Sequence, residues 1–525
     1  MSLALIGSLQ EDPRISDRFQ CRLAPGVVEV LRTAVENTSE VRLVLDLLPN
    51  HRGFGGGVAE AEVIRASTPV ASWNLPTESV ELDLDQGTLL ASMPERSYPA
   101  NWADLNGDYR LRPLLFVTSA TDEPELRIEG SEVPVNLRAG ASERVELSLD
   151  EVVRAAPSNE EAMAAPGVLE VMYESQLLSQ HNDYAMVGDE DMHRAQVVLP
   201  LGYHDLKHER RSWPVIYMIP GRAEISDVAG TLAKLAAEPA MKGLLPQAIW
   251  VILEKDTPHG HHFFLDSNLH GPRGRALVEE FVPWIDIRFR TIPEPGARIL
   301  VGEEQGGFAA LHLLAEHQDV FGDAWAISPE AIALEALGTI DLYGDANVFE
   351  QPDGTRKPAL RTSLGSEREL IHLDVRGEVM RSRALDRGGD RWHELCAAFG
   401  GSPTAERANW WPFDPETGRP RPIQMGKWEQ HDLGRRARLN PVLAGHLSEH
   451  ARILVGNRDE YYRNLGARAL EEAVRSSLAE EGNAVEPRPW VTEMTASNGI
   501  EAGMIATMLR NEQIMELLRN RGHHE

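Results

Sequence analysis

Three stretches of this chain concentrate residue types that do chemistry. The first is ARILVGEEQGGFAALHLL, in which an apolar strand, Ile299 to Val301, enters Gly302-Glu303-Glu304-Gln305-Gly306-Gly307 and leaves as a helix with Phe308, Leu311 and Leu314 on one face. Small residues two before and two after a central position permit the sharp strand-to-helix turn that presents a nucleophile. Glycines between a strand and a helix also serve close packing alone. The central side chain here is Glu304, a carboxylate at a helix N-terminus, where the dipole favours its ionised form. Capping the open N–H groups of that helix is the plainest use for it. The second stretch places His259, His261, His262 and His270, with Asp266, shortly after the apolar run AIWVILEKD. Imidazole and carboxylate are metal ligands, but the spacing fits no fixed zinc motif and local hydrogen bonding accounts for it, so neither a metal nor a cofactor is expected. The third is His431 in KWEQHDL, a candidate helper for a carboxylate base.

The elements that must position these residues fall into two rhythms. From Arg18 to about Val153, short alternating runs such as VRLVLDLL, SVELDLD, YRLRPLLFVTS and RVELSLD are separated by Pro, Gly and Asn. That pattern predicts an antiparallel β-sandwich over 1–154. The small, polar, Pro-flanked stretch 155–167 reads as a linker. Over 168–525 the rhythm becomes buried strand, loop, helix, with AQVVLPL, PVIYMIP, AIWVILE, ARILVGE, DAWAIS, ARILVGN and PWVTEMT as strands. This predicts an α/β domain with a mostly parallel sheet and helices on both faces, whose sites form at the carboxyl ends of the strands. An insertion at about 330–447 carries Trp392, Trp410, Trp411 and Trp428. It is either a lid over the strand ends or an insertion with its own small core.

Composition narrows the partners. A length of 525 residues predicts two to four domains, and 42% apolar with 25% charged residues describes a well-cored chain. The formal charge of -29 sets up a field that repels phosphate backbones and anionic membranes, so neither nucleic acid nor membrane is expected as a partner. No apolar run approaches the ~20 residues of a membrane span, and the first residues lack a leader pattern, so the expected location is cytoplasmic. Cys21 and Cys396 lie far apart, giving neither a disulfide framework nor a zinc spacing.

Ordered segments carry a family resemblance: YESQLLSQ, AQVVLPLGY, WPVIYMIPG, TPHGHHFFLDSNLHGPRGRALVEEFVPWIDIRFR, the glycine-rich turn, IDLYGDANVF and ARILVGNRDEYYRNLGARALEEA, with SYPANWADLNGDYRL in the first domain. They resemble the putative-esterase family of α/β-hydrolases, which includes enterochelin-esterase-like and esterase-D-like enzymes, and more closely a bacterial branch with an amino-terminal β domain. The resemblance implies a nucleophilic serine at Glu304, an acid at Asp459, and a histidine at Asn498 or Gly499. It also implies an oxyanion loop at Pro220-Gly221-Arg222-Ala223-Glu224, completed by the residue after the nucleophile, Gln305. Only Asp459 keeps a triad residue type.

Acyl transfer by such a triad needs a hydroxyl, an imidazole and two N–H groups for the oxyanion. Glu304 offers no hydroxyl, its charge opposes an oxyanion beside it, and neither Asn498 nor Gly499 transfers a proton. Three readings follow. The chain is a pseudoenzyme that binds a small molecule or protein in the former cleft; or a divergent hydrolase acting on acyl substrates through Glu304 or a metal-activated water; or the amino-terminal domain mediates assembly and the second domain is its platform. A salt bridge from Glu304 to Arg222 or Arg273 would mark a locked pocket, and an open carboxylate facing histidine would mark chemistry. Oligomeric state is not legible.

Overall fold

The computed structural model describes residues 19–35, 38–49, 70–75, 80–83, 86–91, 96–98, 107–119, 126–137, 145–154, 167–185, 191–223, 225–237, 244–364, 368–385, 390–405, 407–480, 490–494 and 499–523. It divides into two compact units, 1–160 with Gly377–Asp386, and Glu161–Arg376 with Arg387–Glu525. Most of the predicted linker, 155–166, lies outside the described residues.

The amino-terminal unit contains a four-stranded and a seven-stranded sheet, the two-sheet composition a sandwich requires. Its longest pair joins Thr38–Pro49 to Gly107–Ser119, with Leu43 opposite Leu115 and Leu47 opposite Leu111. The alternation read in these strands buries Leu43, Leu45, Leu111 and Leu115 completely. Two features depart from the purely antiparallel expectation: Phe19–Leu23 pairs parallel to Val145–Leu149, and a helix, Pro25–Val35, follows it. The helix buries Val27 and Leu31, so the spacing of four overrides the β-rich surroundings.

The second unit is built on an eight-stranded sheet. Its strands are β1 Val168–Glu174, β2 Met192–Val198, β3 Val215–Ile219, β4 Ile249–Leu253, β5 Arg298–Glu303, β6 Asp323–Ile327, β7 Ala451–Gly456 and β8 Val491–Met494, in the spatial order β1-β2-β4-β3-β5-β6-β7-β8. Only β1 and β2 run antiparallel to their neighbours; the remaining pairs are parallel. All seven predicted strands are present. The eighth, β1, is an edge strand whose burial does not alternate, which hides it from a period-two reading.

β3, β4 and β5 are buried nearly throughout, as strands covered on both faces must be. On one face Ile216, Met218, Trp250, Ile252, Ile299 and Val301 pack with helices α1, Ile225–Ala237, and α5, Gly499–Asn520. On the other, Tyr217 meets Phe321 edge-on, and α2, Gln305–Glu316, lies over the central strands. Among the described residues no helix is long and apolar enough to cross a membrane. The two cysteines are buried and not joined in a disulfide.

The insertion resolves into a hairpin, Pro358–Leu364 with Arg368–Asp374, and several helices, including α3, Arg391–Gly400. Its four tryptophans are buried. Trp392 stacks on Trp411, and Trp428 donates from Nε1 to the carbonyl of Trp410 at 3.2 Å. This aromatic core continues into the sheet domain, because Phe399 of α3 packs on Phe308 of α2 and on Phe263.

Candidate functional site

Parallel register brings four loops to one edge. Ile219 pairs with Gly302, Glu303 with Ile327, and Ile327 with Leu454. The loops that leave these strands, at 220–222, 304–305, 328–330 and 457–462, therefore converge at the carboxyl ends of the sheet.

Glu304 holds the sharp turn at φ 51° and ψ −113°, outside the regions a side chain with a Cβ ordinarily adopts. The glycines explain how the turn closes. A Cβ on Gly302 would run into the carbonyl oxygen of Gly306, and one on Gly306 into the carbonyl oxygen of Ile219. Backbone bonds secure the rest: the Glu304 N–H donates to the carbonyl of Ile327 at 2.9 Å, and its own carbonyl accepts from Phe308 and Glu330. Ser328, Ala331 and Tyr462 in the neighbouring loops also have positive φ. Strained backbone persists only where its surroundings hold it, and here it clusters around Glu304.

The side chain of Glu304 does not cap α2 as the helix position suggested; it makes no capping hydrogen bond. It turns instead to cations from two other elements. Arg463 Nη1, at the start of α4, Arg463–Glu480, donates to Oε1 at 2.8 Å, and Arg222 Nε lies 3.5 Å from Oε2. Burial works against ionisation, yet the guanidinium groups of Arg463 and Arg222 outweigh it and hold the carboxyl at about 2. About a quarter of this side chain, 26 %, remains exposed.

Asp459 lies behind Arg463. Both its oxygens accept from Arg463 Nε, at 3.0 and 3.1 Å, and Oδ1 also accepts the backbone N–H groups of Tyr461 and Arg463. The carboxylate thus caps the turn into α4 and orients the guanidinium. The result is a chain of contacts, Asp459 to Arg463 to Glu304, in which one flat cation touches the acid position with one nitrogen and the nucleophile position with another. Arg463 was not among the residues singled out from sequence; its signal is its place four residues after Asp459 on an incoming helix.

Around this chain further charged groups are paired. Tyr461 carries Arg222, Arg391 and Arg463 within 5.1 to 5.5 Å of its ring, and its hydroxyl accepts from Arg222 at 3.3 Å. Arg391 of α3 grips Glu330 with two hydrogen bonds of 2.8 and 3.1 Å. The Gln305 side chain, expected near the oxyanion, is buried and donates to Glu394 of α3 at 3.0 Å. Gly221 sits against Glu304: a Cβ there would lie 3.0 Å from Oε2. The carboxylate therefore fills the space beside the Gly221-Arg222 loop.

The histidines take other partners. His261 Nδ1 accepts the N–H of Phe263 at 2.9 Å, so Nε2 carries the proton and donates to the carbonyl of Pro220 at 3.2 Å. Burial, assisted by Lys255, depresses this imidazole to about 3. His262 Nδ1 accepts from Phe264 at 3.1 Å, and burial keeps it well below its ordinary range. His259 stacks on His393 and meets Trp410 edge-on. Asp266 accepts the N–H groups of Gly274 and Arg275 at a helix start. Among the described residues no group of three or more His, Cys, Asp or Glu could hold a metal ion. His431 packs on Phe399 and His312, and Arg273 donates to the carbonyl of His270 at 3.0 Å. Asn498 lies outside the described residues, and Gly499 begins α5.

The family model described as Putative esterase matches residues 189–486, which span the strand-end loops just described. Among solved structures, the chain is similar to a ferulic acid esterase at 12% identity, covering 67% of this chain and 98% of that one with a TM-score of 0.38. An S-formylglutathione hydrolase from Agrobacterium tumefaciens matches at 11% identity, 67% and 95% coverage and a TM-score of 0.35. Enterochelin esterase from Shigella flexneri matches at 11% identity, 92% and 88% coverage and a TM-score of 0.31. No curated protein matches the chain.

Proposed function

Because the chain belongs to the putative-esterase family of α/β-hydrolases, we propose that it is a member that retains the scaffold without serine-triad catalysis and binds a small molecule or protein in the cleft around Glu304. The observation that carries this reading is the ion-pair chain from Asp459 through Arg463 to Glu304. In a catalytic triad the central group must take a proton from the nucleophile and return it. A guanidinium stays protonated at all working pH values and cannot be that base. The nucleophile position holds a carboxylate already neutralised by two cations, and its negative charge stands where an oxyanion would form.

The test is acyl chemistry itself. Short activated acyl esters should not turn over, and fluorophosphonate probes should not label the protein. Glu304→Ser alone should remain inert. Adding Asn498→His should still yield little, because Arg463 occupies both oxygens of Asp459. Only further replacement with Arg463→Leu frees that carboxylate to orient an imidazole, and a burst of acyl-enzyme should be confined to this triple variant. Robust turnover by the unmodified protein, abolished by Glu304→Gln, would defeat the reading and make Glu304 a base or nucleophile.

A further inference from the structure

We infer that the cleft is a site for a carboxylate-bearing ligand, and that Glu304 is its internal competitor, occupying the site in the resting protein. The inference rests on the reading that the turn no longer performs acyl transfer. What surrounds the Glu304 carboxylate is a receptor assembled from elements other than its own. Arg463 Nη1 approaches at 2.8 Å from α4, and Arg222 Nε lies at 3.5 Å on the loop after β3. Each donor is held in place independently of Glu304. Asp459 fixes Arg463 through two hydrogen bonds, at 3.0 and 3.1 Å, and Tyr461 supports both guanidinium groups from one ring. Donors positioned by their own partners remain aimed when the occupant leaves.

The ligand class follows from these donors. A planar anion with two oxygens matches two guanidinium groups, one on each oxygen, and the confined space beside Gly221 suits a carboxylate. The site is also reachable: the Arg463 side chain is nearly buried, at 9 %, while that of Arg222 is 34 % exposed. One guanidinium anchors the anion away from water and the other faces the approach. An external carboxylate must displace Glu304 to enter, so its apparent affinity is lowered by the fraction of time the site is vacant.

The backbone supplies the variant that tests this. At φ 51° Glu304 sits where glycine is unstrained, so Glu304→Gly empties the site without opposing the turn. Acetate binding is measured by calorimetry and by thermal shift, against acetamide and against chloride at equal ionic strength. Glu304→Gly should bind acetate at least about 100-fold more tightly than the unmodified protein, with no matching response to acetamide or chloride. Glu304→Ala serves as a second vacant variant, and Arg463→Met in either background should abolish the gain. Equal acetate affinity with and without the Glu304 side chain, or equal responses to acetate and chloride, would overturn the inference. Ester turnover by the unmodified protein would instead defeat the reading beneath it.

Discussion

The strand-end turn at Glu304 and the histidine-rich segment at 259–270 belong to the same domain, and each gathers several titratable side chains, yet they use them in opposite ways. In the histidine segment the groups are consumed locally. His261 and His262 each accept the N–H two residues ahead, and the second nitrogen of His261 is spent on the Pro220 carbonyl. At the turn the groups are consumed at long range, by an ion pair between residues 159 positions apart and by a loop from a third strand. A density of histidines and carboxylates therefore does not identify a reactive centre. What separates the two regions is which atoms remain, and what charge must accompany them: His261 and His262 are buried and neutral, whereas the turn is a partly buried pairing of full charges.

The contrast is broken most directly at Arg463. Arg463→Met removes the cation shared by Glu304 and Asp459 and leaves two neighbouring carboxylates without it. Removing one partner of a buried ion pair costs about 3–5 kcal/mol, and a loss near 3 kcal/mol is expected because Glu304 is partly solvated. Denaturant unfolding at pH 7 measures it. Glu304→Gln in the Arg463→Met background should recover part of the loss; a single variant as stable as the unmodified protein would show that the chain of pairs is peripheral.

A graded effect, small near neutral pH, separates the regions by pH. His261 has its folded value depressed to about 3 from an ordinary 6.5. A depressed group contributes stability that is present above its unfolded value and lost as pH falls, since the unfolded chain takes up the proton first. Protonation of His261 should therefore weaken the fold between about pH 6.5 and 3. His261 adds a slope of about 1.4 kcal/mol per pH unit in that window. His261→Gln should flatten the stability curve by about one proton. An unchanged slope would mean that His261 is protonated, or solvated, in the native protein.

Much of this architecture was legible because it is periodic or local. Continuous apolar runs mark the parallel strands, and the glycines at 302 and 306 mark the turn because a Cβ at either would collide within the turn or with the adjacent strand. The non-alternating edge strand β1 and the parallel pairing of Phe19–Leu23 with Val145–Leu149 were not legible. Burial at an edge does not alternate, and pairing direction depends on topology instead of pattern. At the site, Arg222 was a named partner for Glu304 and pairs with it, whereas Arg273, named with it, turns to the His270 carbonyl. Arg463 was missed, although its spacing from Asp459 is helical, because its second bond reaches a residue brought near only by the sheet. The capping role expected of Glu304 failed for a related reason: at φ 51° the side chain leaves the helix axis and finds stronger partners elsewhere.

The smallest effect belongs to Glu304 alone. Glu304→Gln keeps a hydrogen-bond acceptor for Arg463 and loses only the charge, so at pH 7 the cost should be about 1–2 kcal/mol, below that of Arg463→Met. Its pH dependence carries the sharper distinction. The Glu304 carboxyl is depressed in the folded protein to about 2, from 4.5. Its contribution is therefore fully present above pH 4.5 and disappears as pH falls through 2. The unmodified protein and Glu304→Gln should keep a constant difference in stability from pH 7 to 5, then converge below about pH 4.5. His261→Gln should diverge from the unmodified protein in a higher window, beginning near 6.5. If the Glu304→Gln difference instead changed between pH 7 and 5, the carboxyl would be titrating near neutrality. A carboxyl poised there is what general-base chemistry requires, and the contrast between a paired turn and a locally spent histidine segment would then fail at its first region.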